Sequence, residues 1–110
     1  MKDNELVMVA MEIILHAGDA RLKIEDSLKE AKTFNFDLSE NLMEEANKEI
    51  VLAHKSQTNV IQNEASGKNY GSSLLFNHAQ DTLMTINSEV RMANHMIDIL
   101  KIISNLKENE

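Results

Sequence analysis

The sequence predicts an all-α fold, an antiparallel three-helix bundle running up, down and up. Three observations carry that expectation. The chain of 110 residues has no proline and only three glycines, so helix breakers are few. Aromatic residues make up 4%, and the valine-, threonine- and tyrosine-rich runs that mark strands are missing. The apolar residues fall into three stretches whose spacing alternates steps of three and four, the repeat of a helix that buries one stripe. This length suits a single domain covering residues 1–110, below the size at which chains usually divide.

The first helix is expected at about residues 4–32, with Leu6, Ala10, Ile13, Ala17, Ile24, Leu28 and Ala31 inward and Arg21 in the one polar slot. Asp3 or Asn4 can cap its start. Gly18 lies mid-helix, where glycine costs roughly 1 kcal/mol relative to alanine, and close approach of another helix is the expected return.

After Thr33-Phe34-Asn35-Phe36, the pair Asp37 and Glu40 fits a capping box, so the second helix is expected at about 38–66, ending before Gly67. Its inner positions are Leu42, Ala46, Ile50, Ala53, Gln57, Val60 and Ile61. A loop from Gly67 to Ser72 leads to a third helix at about 73–107. Both connections are short, which makes successive helices antiparallel neighbours.

The third helix carries two stripes. Ala79, Leu83, Ile86, Val90, Ala93, Ile97 and Leu100 form an apolar seam for the bundle, while His78, Asp81, Thr85, Ser88, Met92, His95 and Ile99 form a second, half-polar seam with the same spacing. A bundle helix needs one buried face, so the second seam predicts packing on copies of the chain around an axis, a homotrimer. Three inward Asp81 carboxylates would repel one another. A divalent cation held by oxygen ligands or a shared proton would neutralise them, and a solvated Asp81 is the remaining case.

Composition narrows the function further. A net charge of −7 with no basic stripe argues against nucleic acid as a partner. With no cysteine, the chain can form neither disulfides nor thiol intermediates. No segment has the uninterrupted apolar length of a membrane span, since even Val7 to Leu15 is broken by Glu12, and the N-terminus lacks a signal-peptide layout. A cytoplasmic location is expected, without direct membrane insertion.

The candidate active centre is the segment Phe76-Asn77-His78-Ala79-Gln80-Asp81-Thr82-Leu83-Met84-Thr85, which puts an imidazole and a carboxylate on one helix face. Neutral imidazole can take a phosphoryl group and hand it on near neutral pH, and a nearby carboxylate can orient it. The bare spacing discriminates little, because it recurs at His16/Asp19 and His95/Asp98, so three of four histidines have such a neighbour. His-Ala-Gln-Asp followed by Leu-Met-Thr, however, resembles the active-site segment of the lactose/cellobiose (chitobiose) family of enzyme IIA proteins of the bacterial sugar phosphotransferase system. Ala17-Gly18-Asp19-Ala20-Arg21 is similar to that family's first-helix signature, and Ala53-His54-Lys55-Ser56-Gln57-Thr58, continuing to Glu64-Ala65-Ser66-Gly67, to its second.

The resemblance implies a phosphoryl relay. His78 would accept the group from HPr through Nε2 and pass it to a cysteine of enzyme IIB, during uptake of a lactose-, cellobiose- or chitobiose-type disaccharide by the membrane enzyme IIC. It also implies a homotrimer and a metal ion such as Mg2+ on its axis, carried over onto Asp81. An apolar rim should keep water from the labile phosphorus–nitrogen bond, and Leu74, Leu75, Phe76 and Met84 can supply part of it. Gln80 is a supporting polar contact. His54 is expected as structural support, hydrogen-bonding across the bundle with Gln57, and His16 and His95 as packing or surface residues. Thr82 departs from the pattern, standing where many relatives would have a second histidine.

Other classes fit less well. A two-component phosphotransfer domain typically follows its histidine with lysine and glycine, absent here, and a di-iron bundle requires Glu-x-x-His pairs, which none of the four histidines forms. A non-catalytic helical scaffold is the remaining alternative, and phosphorylation by HPr, enzyme I and phosphoenolpyruvate discriminates it.

Overall fold

The computed structural model describes residues 2–110, with side chains from Glu5 onward; the expected caps at Asp3 and Asn4 lie outside the described side chains. Three helices account for almost all of it: α1 Lys2–Lys32, α2 Phe36–Ala65 and α3 Leu74–Glu108. They form a rod of 64 × 19 × 19 Å. The first helix packs along both others, whereas α2 and α3 meet at few places.

Small residues explain the intimacy of α1 and α2. Ala10, Ala17, Ala20 and Ala31 on α1 are fully buried, as are Ala46 and Ala53 on α2, so the two backbones approach closely around Ile13, Ile24 and Ile50. The alanine-rich seam admits one polar pair. Ser27 Oγ donates to the Ser39 backbone carbonyl at 2.7 Å and lies 2.9 Å from Ser39 Oγ, and both residues are completely buried. Their mutual bonding removes the cost of burying unsatisfied hydroxyls.

On α3 the expected core seam is realised: Ala79, Leu83, Ile86, Ala93 and Ile97 are buried, with Val90 and Leu100 packed at its margin. Arg21, in the polar slot of α1, reaches α3 and makes a two-pronged pair with Glu89, Nε to Oε2 and Nη2 to Oε1, both 3.0 Å. The planar fork fixes the relative register of the two helices.

Two expectations about α2 are corrected. Its start is Phe36 rather than residue 38, and Asn35 at the cap position makes no side-chain cap bond, so Asp37 and Glu40 form no capping box. Backbone bonds close the turn instead, with Thr33, Phe34 and Asn35 N–H groups donating to Glu30, Ala31 and Glu30 carbonyls. Phe34 takes a left-handed φ of 64° and its ring stacks on Phe36 at 6.0 Å between centroids. Asp37 then lies in the first turn, where a negative charge suits the helix dipole, and Glu40 pairs with Lys101 of α3. The buried stripe of α2 also includes Ser39 and Met43, while Leu42 is half-buried and Ile61 faces outward near the helix end.

Gly18 corrects a third expectation. It is exposed, and a Cβ built there meets no atom within 4 Å, so no helix of the same chain closes on it. Gly18→Ala is therefore expected to stabilise the fold by about 0.5–1 kcal/mol in denaturant unfolding; destabilisation would mean that another surface packs on this turn.

Candidate functional site

The second connection determines where α3 begins. Gly67, with φ 103°, ends α2, and Gly71, with φ 76°, turns the chain towards α3 while its N–H donates to Asn69 Oδ1 at 2.9 Å. Positive φ at both positions favours glycine. Between them Tyr70 is buried to 3% exposure, and its hydroxyl accepts a hydrogen bond from Asn63 Nδ2 at 2.7 Å. Lys68 covers the ring at 4.7 Å and donates to Glu5 Oε1 at 3.0 Å, a hydrogen bond that holds its ammonium above the usual lysine range.

Ser73 then caps α3. Its extended backbone turns into the helix and its Oγ accepts the Phe76 N–H at 3.1 Å. Phe76 enters the core beside Ala79, which fixes the rotation of the first two turns. With Phe76 and Ala79 inward, His78 and Asp81 point out, and both are exposed. Together with Leu74, Leu75 and Asn77 they line an open depression whose named walls all come from α3. Leu74 is 86% exposed.

Local hydrogen bonding ties down this face. Thr82 Oγ1 donates to the His78 carbonyl and Thr85 Oγ1 to the Asp81 carbonyl, each at 2.8 Å. The hydroxyl of Thr82, the residue that departs from the family pattern, is thus folded back onto the turn that bears His78. Lying within the second turn of α3, His78 is also near the positive end of the helix dipole, which favours an arriving anion modestly.

The other anticipated residues are not brought to His78 within one chain. Phe76 is buried and leaves the proposed rim; Leu74, Leu75 and Met84 remain half-buried or exposed. Gln80 is half-buried and faces a different groove, at the bundle end with Leu6, Val60 and Tyr70. His54 bonds to α3 rather than to Gln57, its Nε2 lying 2.9 Å from Asn87 Nδ2. Asn87 is nine residues beyond His78, about 13 Å along a helix. Periodicity did not point to Asn87, although it stands next to core residue Ile86. His16 donates from Nδ1 to Glu49 at 2.7 Å and so ties α1 to α2, while His95 is exposed on α3.

Among the described residues, no three histidine, aspartate, glutamate or cysteine side chains of one chain converge as metal ligands, and no helix is long and apolar enough to cross a membrane. The single Asp81 carboxylate is an oxygen donor suited to a hard cation, but one carboxylate does not make a site.

The chain is similar in sequence and in fold to known proteins. Residues 8–101 match the family model described as the PTS system, lactose/cellobiose specific IIA subunit. The lactose-specific EIIA component of Staphylococcus epidermidis is 41% identical over 101 residues, covering 92% of this chain and 97% of the relative. The corresponding component of Lactococcus lactis subsp. lactis is 37% identical, covering 92% and 96%. Two crystal structures share the fold. The protein named PtcA from S. mutans superposes with a TM-score of 0.88 at 36% identity, over 92% of this chain and 99% of that one. The cellobiose-specific enzyme IIA from Bacillus anthracis gives 0.85 at 33% identity, over 89% and 90%. With the three-helix architecture, the exposed His78 at the head of α3 and this agreement over most of its length, the chain belongs to the lactose/cellobiose-specific IIA family of the phosphotransferase system.

Proposed function

We propose that this phosphotransferase component carries the phosphoryl group on His78, receiving it from phosphorylated HPr and delivering it to a cysteine of enzyme IIB. The observation that supports this most strongly is the placement of His78: an exposed imidazole on a rigid helix, one turn past a capped N-terminus, in the segment that resembles the family's active site. The lone pair of Nε2 attacks phosphorus as the donor's phosphorus–nitrogen bond breaks, and the proton stays on Nδ1. In the second half-reaction a thiolate attacks phosphorus and the imidazole leaves as the neutral base it was. Neither step consumes a co-reactant, so the chain returns unchanged.

An exposed histidine suits transfer between proteins, because both donor and acceptor must reach the same ring nitrogen. It suits retention of the group poorly unless water is kept away. The apolar side chains of Leu74 and Leu75 begin such a rim on one side. The rest must come from another surface, since α3 alone lines the depression.

Other copies of the chain supply that surface in our reading. Leu74, His78, Asp81, Thr85, Ser88, Met92, His95, Ile99, Ile102 and Leu106 continue one three-four repeat along the whole helix, and each is exposed. Ile99, Ile102 and Leu106 are 56%, 60% and 64% exposed, an apolar stripe with no cover from α1 or α2. Packing three such stripes on a threefold axis buries them and brings His78 beside the next copy. The same assembly gathers three Asp81 carboxylates, which would hold a divalent cation such as Mg2+; when bound, the ion neutralises their repulsion and clamps the helices. A proton shared among the carboxylates is the competing means of neutralisation.

Gln80 and His54 act on the carrier helix rather than on the imidazole. His54 holds α3 to α2 through Asn87, and Gln80 lines the groove behind the first turns. The names of relatives, lactose-specific and cellobiose-specific, support a disaccharide of the lactose, cellobiose or chitobiose type as the sugar of the pathway. The sugar itself is handled by the membrane enzyme IIC, so this chain acts in the cytoplasm without touching it.

Three outcomes are expected. His78→Ala should abolish acid-labile labelling from phosphoenolpyruvate, enzyme I and HPr while the assembly stays folded; full labelling would reject the assignment, and an unlabelled wild type would favour a scaffold. Asp81→Leu should keep or raise the thermal stability of the trimer in metal-free buffer and remove any response to Mg2+; a strong loss of trimer there would count against the axial carboxylates. Ser73→Ala, which removes the cap that starts the carrier helix, should cost about 1 kcal/mol in denaturant unfolding, and an unchanged midpoint would show that the cap bond is dispensable.

A further inference from the structure

The His95/Asp98 pair shares the spacing of His78/Asp81 but lies outside the proposed phosphoryl site. It lies on the same outward stripe of α3. Leu74, Asp81, Ser88, His95 and Ile102 recur at intervals of seven, so they occupy one register position of that stripe. In helices that coil around an axis, a strict seven-residue repeat keeps such positions on the same side. A packing that follows this repeat and turns Asp81 to the axis therefore turns His95 to it as well, two heptads or about 21 Å further along.

The surroundings of the two layers differ. Asp81 is followed by Thr85 and Ser88, whereas His95 lies between Met92 and Ile99, 57% and 56% exposed in the single chain and apolar. Assembly would enclose three imidazoles between apolar layers, away from bulk solvent. Neither the His95 ring nor the Asp98 carboxylate hydrogen-bonds to another described residue. Three converging neutral imidazoles are the ligand set of a borderline divalent cation, and Zn2+ fits them with a fourth position open to water. Asp98, three positions on, supplies the kind of carboxylate that orients metal-bound imidazoles through their second nitrogen.

We propose that the three His95 side chains of the assembled protein form a second cation site, specific for Zn2+-like ions and separate from the Asp81 layer. The proposal rests on the trimer described above. It divides the axis by ligand chemistry: oxygen donors for a hard ion near the phosphoryl site, nitrogen donors for a softer one in the distal half.

The test is Zn2+ titration of the full chain in metal-free buffer, with sedimentation to give the oligomeric state and Co2+ as a spectroscopic substitute. One Zn2+ per three chains, with a raised melting temperature, is expected. His95→Leu should abolish that binding while the trimer persists, and Asp81→Leu and His16→Ala should leave it intact. A wild-type trimer with no saturable Zn2+ binding overturns the site and spares the trimer. Binding that survives His95→Leu assigns the ion to the Asp81 layer or to another histidine, and binding lost with His16→Ala assigns it to His16; either result overturns the His95 site. A monomer in metal-free buffer and with Zn2+ overturns site and trimer together.

Discussion

A helix of 35 residues with two seams of helical spacing cannot be satisfied by one pair of neighbours, and that constraint governs the rest of the molecule. The bundle covers only the first seam. α1 is sandwiched along both partners, with small side chains that permit close approach to α2, and α3 is held from one side through Ile86, Leu83 and the Arg21–Glu89 fork. The second seam is left facing solvent over its whole length, including Met92, Ile99 and Ile102, which are costly to expose. Our reading of the protein as a trimer with its chemistry at the subunit boundary follows from that uncovered surface together with the family to which the chain belongs.

The site owes its precision to the connection before α3. Tyr70, the two positive-φ glycines and the Ser73 cap fix the axial start of the helix, and Phe76 fixes its rotation. His78 is then presented by position alone, without a bonded partner holding it in a pocket of its own chain. Such an arrangement separates two demands on a carrier. The backbone is rigid, so the nitrogen is in a defined place for each partner, and the face is open, so two different proteins can reach it in turn.

Much of this was legible in the sequence because it depends on period. Ala79, Leu83, Ile86, Ala93 and Ile97 were all expected inward and all are buried, and the outward position of His78 and Asp81 follows from the same repeat. Phe76 could have been assigned correctly by it too, since it precedes Ala79 by three positions on the core seam; its apolar character beside a histidine suggested a rim instead. Gln80 stands two residues from His78, a spacing that puts side chains on different faces of a helix. The start of α2 was not legible, because backbone bonds and the stacked Phe34 and Phe36 rings end α1 without the side-chain cap that the sequence pattern suggests. Cross-helix polar pairs such as His54–Asn87 and Ser27–Ser39 depend on the rotation of both partners, which one helix's pattern does not contain.

The central claim is that phosphorus resides on one imidazole out of four. Its most direct test is site mapping of the wild-type chain after charging by phosphoenolpyruvate, enzyme I and HPr, with fragmentation mass spectrometry at alkaline pH, where phosphohistidine survives. The account predicts the modification on the peptide carrying Asn77-His78-Ala79 and nowhere else; a phosphoryl group found on His16, His54 or His95 would contradict it.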